Sequence, residues 1–128
     1  MAAPMQAMID KLFAPGVLRP LFWLLAAFAL LMALLPKPPS LPIDQFGDKF
    51  EHMLAFAVLA GLANLGWRSI KAWRIVLWLS AFGALIEVLQ LIPALHRDSD
   101  SRDWLADTAA ILIATLIARA LLRLMRQA

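Results

Sequence analysis

The chain has 128 residues, 62% of them hydrophobic, and a mean hydropathy of +0.76, whereas soluble domains run about 45–50% apolar. Its length suits one domain, and the lack of cysteine excludes disulfides and thiolate metal sites. A net charge of +3, unevenly divided along the chain, gives no footing for nucleic-acid binding.

In chain order, MQAMIDKLF reads as a short interfacial helix ended by Pro15 and Gly16. LFWLLAAFALLMALL follows, from Leu21 to Leu35. Basic Lys11 and Arg19 precede it, but the small-x-small cleavage site of a signal peptide is missing, so it reads as a retained anchor. PKPPSLP, residues 36–42, holds four prolines and breaks any helix. Three more apolar stretches follow, each close to the roughly 20 residues that cross a bilayer. The predicted spans are about 18–36, 49–67, 73–95 and 103–123. Hydrocarbon leaves peptide groups no water, so each must be helical. The expected fold is a single all-α membrane domain, four transmembrane helices in a bundle.

The charges sort by side. The N-terminus, the link between spans two and three, and the C-terminus hold eight basic residues and one acid, Asp10. The two remaining loops, with the adjoining span ends, hold four basic and eight acidic residues. Basic loops stay cytoplasmic. Both termini are therefore expected inside and the acidic loops outside. Trp23, Trp67 and Trp73 fall near the inner interface and Trp104 near the outer one, while Trp78 lies deeper and reads as packing.

The outer ends of spans two, three and four carry unusual polar residues. Span two opens GDKFEHML: Asp48 reads as an N-cap, Glu51 completes a box, and His52 lies one turn below Asp48. Span three places Ser80, Gly83, Glu87 and Gln90 on one stripe, with Glu87 about 12 Å below an end at Leu95. Span four opens with Asp100 or Ser101 as cap, and Asp103, Asp107, Ala110 and Ala114 share a face. A charge at the centre of a membrane helix costs about 2.5–3.5 kcal/mol, so Glu87 should face the bundle interior. His52, Glu87, Gln90, Asp103 and Asp107 can then meet in one outer pocket, with Lys49, Arg97 and Arg102 at its mouth. Two helix N-termini there would favour an anion.

Asp48, Lys49 and His52, then Glu87 and Gln90, then Arg97 and Asp103 form the ordered pattern DKxxH, ExxQ and R-x5-D. In this the chain resembles the VanZ-like family of small bacterial membrane proteins, over residues 48 to about 110. The resemblance implies a bacterial cytoplasmic (inner) membrane location, and a cell-envelope role of the kind for which the family is named, teicoplanin resistance. Asp107 and Ala110 depart from the asparagine and glycine common in the family, and Phe56 from a common tyrosine.

Three functions are compatible with these residues. In the first, the pocket binds an anionic lipid or cell-wall precursor through Asp48, Lys49, Gln90, Arg97, Arg102 and Asp107. In the second, His52, Glu87 and Asp103 act in acid–base chemistry on a phosphate-bearing headgroup. No cofactor is required; a divalent cation on His52, Glu87, Asp103 and Asp107 is a variant of this reading, although their spacing matches no recognised metal signature. In the third, the polar cluster only specifies helix packing, and Asn64, Gln90 and Thr115 are interhelical glue. No sequence feature names a protein partner.

Overall fold

A computed structural model describes residues 2–35, 47–95 and 99–127. The proline-rich run 36–42, Asp44, Arg97 and Asp98 lie outside the described residues, as does the side chain of Asp48. Five α-helices account for most of the rest: α1 (Ala2–Leu12), α2 (Pro15–Leu34), α3 (Asp48–Gly66), α4 (Ala72–Leu89) and α5 (Ser101–Gln127). No strand occurs among the described residues.

Pro15 does more than end α1. It occupies the first turn of α2, where a missing N–H costs nothing. The start of α3 differs from the capping box expected at Asp48. Gly47 is the N-cap, with a φ of 91° and no side-chain cap bond, and Asp48 is already helical. The positive φ open to glycine turns the chain into the helix one residue early.

The third apolar stretch is shorter than predicted. α4 stops at Leu89 and a single 3-10 turn covers Pro93–Leu95. A proline ring clashes with the carbonyl four residues back, so Pro93 stops the helix at Leu89. Glu87 consequently sits in the last turn of α4, not two turns below its end.

Three stretches are long and apolar enough to cross a membrane: Ala3–Leu34, Ala72–Leu89 and Ser101–Arg126. They mark a multi-pass membrane protein. α3 matches them in length, but it carries Lys49, Glu51, His52 and Asn64 and does not reach the same apolar standard. It is the central helix instead, packing on α2, α4 and α5. Leu59, Ala60 and Asn64 are fully buried in it.

Side-chain bonds fix the helix directions. Lys49 pairs with Asp103 near the starts of α3 and α5, and Asn64 bonds Thr115 farther along both. The two helices therefore run parallel. α4 runs against them, since Glu87 near its end meets Ser99 just before α5. α2 also opposes α3, because Arg19 bonds the Gly66 carbonyl. Gly83 lets α4 pack against aromatic rings of both neighbours: a Cβ there would stand 3.4 Å from both Phe56 Cζ and Trp104 Cδ1. Outside this core the surface is strongly apolar, with Trp78 75% and Leu116 70% exposed. Water does not tolerate such a continuous apolar exterior, whereas lipid matches it.

Candidate functional site

At the end where α3 and α5 begin, each polar residue is placed by its helix. Lys49 and Asp103 occupy the first turns, their Nζ and Oδ1 3.7 Å apart on the rim. Exposed pairs of this kind contribute at most about 1 kcal/mol. Asp103 also stands in the acid-favouring first turn of α5. Arg102 does not turn toward the site. It pairs with Asp100 at 3.2 Å on the exposed surface.

Asp100, one of the two caps the sequence offers, caps α5, its Oδ1 accepting the Arg102 amide at 2.9 Å. That backbone bond, seconded by the Arg102 side chain, holds the Asp100 carboxyl below its ordinary range.

Glu87 is buried, and its carboxylate already has partners. Oε2 accepts hydrogen bonds from Ser99 Oγ at 2.9 Å and from the Asp100 amide at 3.0 Å. Ser99 Oγ also meets the Glu87 carbonyl at 2.9 Å. Thus Glu87 ties the connection entering α5 to the end of α4. Gln90, also buried, joins α4 to the end of α2, its amide donating to the Ala33 carbonyl at 2.9 Å. Ser99 carries no sequence signal for its role, since it reaches Glu87 only through the fold of the intervening turn.

Asp107, one turn deeper than Asp103, behaves differently. It is 3% exposed. Its Oδ1 has no hydrogen-bond partner among the described residues, and the charges it faces are those of Glu87 and Asp103. His52 is half-buried. Among the described residues its side chain forms no hydrogen bond or ion pair, with Glu87 or otherwise. No three His, Asp or Glu side chains among the described residues stand close enough to hold a metal ion. The structure therefore brings Lys49 to Asp103 and sets Asp107 within electrostatic reach of Glu87 and Asp103, while Arg102 turns aside.

The opposite end is also polar, but its buried groups are matched. Fully buried Asn64 donates to the Ala60 carbonyl at 2.7 Å and to Thr115 Oγ1 at 3.0 Å. Its Oδ1 accepts from Arg119 Nε at 2.8 Å. Arg119, which its sequence position suits to reaching out toward headgroups, instead donates to the Arg68 and Ile70 carbonyls. Between the ends, Ser80 Oγ meets Thr108 Oγ1 at 3.0 Å, and Trp104 Nε1 donates to the Ser80 carbonyl at 2.9 Å. Trp104 is half-buried and tied to α4, while Trp78, expected to pack in the interior, is exposed instead.

Comparison of the chain with known protein families, curated proteins and solved structures finds no match.

Proposed function

We propose that the chain is a four-span membrane protein, α3 being the fourth span, with both termini cytoplasmic and a polar headgroup-binding site at the outer face. The ligand class is a phosphate-bearing envelope lipid or cell-wall precursor that also offers a hydroxyl or amine. Lys49 contacts the phosphate, and Asp107 accepts the hydrogen bond. Arg97 is the second cation expected from the sequence at the mouth. On this reading the chain is VanZ-like and resides in a bacterial cytoplasmic membrane, with a role in envelope resistance; the pattern of Asp48, Lys49, His52, Glu87, Gln90, Arg97 and Asp103 supports that membership.

One observation carries the reading. Asp107 is a buried carboxyl with no hydrogen-bond partner on Oδ1 among the described residues, one turn below Asp103, which pairs with exposed Lys49. Leaving a buried polar group unmatched costs about 1–3 kcal/mol. A ligand donor would recover that cost. The bonds already held by Glu87 favour binding over acid–base chemistry at that residue.

Native mass spectrometry of the protein purified from its own membranes tests this. The wild type is expected to retain a phosphate-bearing lipid that Lys49→Ala and Asp107→Leu each lose. Unchanged lipid content in both variants would reject it and leave the packing role, which the bonds of Glu87 and Gln90 favour.

A further inference from the structure

A second feature lies at the other end of the molecule and is independent of the outer site. A groove of about 450 Å³ runs between α2 and α4 over α3, within the roughly 300–1,000 Å³ of small-ligand sites. Trp23 and Ala26 of α2 form one wall, Trp78 and Phe82 of α4 the other, and Trp67 of α3 lies at its head. The lining holds a single charged side chain, Arg74.

The order of these residues has a direction. Arg74 is in the first turn of α4, and Trp78 and Phe82 follow at helical spacing. Eight residues at about 1.5 Å each carry the groove about 12 Å from cation to far end. Half of a roughly 30 Å hydrocarbon core is about 15 Å. α2 and α3 follow the same gradient, since Arg19 bonds Gly66 and stacks 5.2 Å from the Trp67 ring at the head of the groove. A guanidinium at headgroup depth above an apolar channel one leaflet long complements a phosphate joined to an acyl chain. Arg74 has no acidic partner among the described residues; its contact is with the Trp73 ring at 5.5 Å. Arginine grips phosphate bidentately, and basic sites between membrane helices take anionic headgroups.

We infer that the α2–α4 groove is a binding site for one anionic glycerophospholipid of the leaflet at the basic end, its phosphate on Arg74 and one acyl chain between Trp23 and Trp78. The probe is phosphatidylglycerol, compared with phosphatidylcholine of the same chains, added to delipidated protein and read by native mass spectrometry. In a Lys49→Ala background, which lacks the outer site, one retained phosphatidylglycerol per chain is expected, with weaker retention of phosphatidylcholine. Arg74→Gln should lower phosphatidylglycerol retention about tenfold, and Ala26→Trp, which fills the groove, should abolish it. Arg123→Gln, an exposed charge at the same end but off the groove, should leave it unchanged.

Equal losses in Arg74→Gln and Arg123→Gln would mean diffuse attraction and overturn the inference. So would retention that survives both groove variants, or a wild-type dimer that Ala26→Trp converts to monomer, which would make a second copy the occupant. Arg74→Gln alters only a charge on the groove rim, so its result stands even if Ala26→Trp proves unstable.

Discussion

Shortening Glu87 to alanine leaves the Asp100 amide without its acceptor and the Ser99 hydroxyl with the residue-87 carbonyl alone, and the connection into α5 loses its side-chain tie to α4. Hydrogen bonds to a charged group contribute about 1.5–3 kcal/mol, so Glu87→Ala should lower the thermal midpoint in detergent by a matching amount. Glu87→Gln keeps an oxygen acceptor and should recover at least half. Asp107 has the opposite sign. Asp107→Leu removes an unmatched buried carboxyl and should raise stability by about 1–3 kcal/mol while removing the proposed ligand; a destabilised Asp107→Leu would mean that the carboxyl already has a structural role. Asp100 adds a pH dependence. Its folded pKa is lowered from 3.8 by the Arg102 amide and side chain. Its contribution is therefore complete above about 3.8 and disappears as pH falls through the lower folded value. Asp100→Ala should accordingly flatten the acid limb of an unfolding profile below pH 4 and leave the neutral region parallel.

One guanidinium fork clamps α5 to the end of α3 and the link that follows it. Arg119 bonds Asn64 on α3 and two carbonyls of the α3–α4 link. A lysine ammonium cannot match that planar set of donors. Arg119→Lys should therefore cost about 2 kcal/mol and speed amide hydrogen exchange in residues 67–71, with the α2–α3 contact unaffected; unchanged exchange there would reject the clamp. The helical positions themselves are legible in the sequence, because apolar length and periodicity report burial in lipid or protein directly. The small stripe is legible too: Gly83, Glu87 and Gln90 are buried as their spacing predicts. The end of α4 is not, because apolar Leu91, Ile92 and Leu95 extend the hydropathy past the point where Pro93 stops the helix. The partner of Glu87 is equally hidden, since composition shows that a carboxylate needs satisfaction but not that Ser99 and a backbone amide supply it. Arg119 misleads for a related reason: near an end, a long cation can reach headgroups or carbonyls equally well, and only the packed link decides.

At the scale of the whole molecule, charge and fold coincide. Arg19, Arg68 and Arg119 gather where α3 ends and α5 runs past it. Asp100, Asp103 and Glu87 gather where α5 begins. The two polar ends are thus properties of the folded protein as well as of its loops, and the asymmetry predicts its orientation, because Lys and Arg near span ends are retained on the cytoplasmic side. The cysteine-free chain makes that orientation directly measurable, since any introduced thiol is unique. Ser69, in the α3–α4 link, and Ser101, at the start of α5, are both exposed, so neither replacement disturbs packing. Ser101→Cys should react with a membrane-impermeant maleimide on intact spheroplasts, and Ser69→Cys only after permeabilisation. If α3 failed to cross, the α3–α4 link and the start of α5 would no longer lie on the sides assigned to them, and the labelling would change accordingly. Labelling of Ser69→Cys from outside would therefore remove either the fourth span or the assigned orientation. A protease-cleavable tag at the N-terminus separates the two, because an inverted four-span chain displays that tag outside, whereas a three-span chain that keeps α2 in its original direction holds it inside.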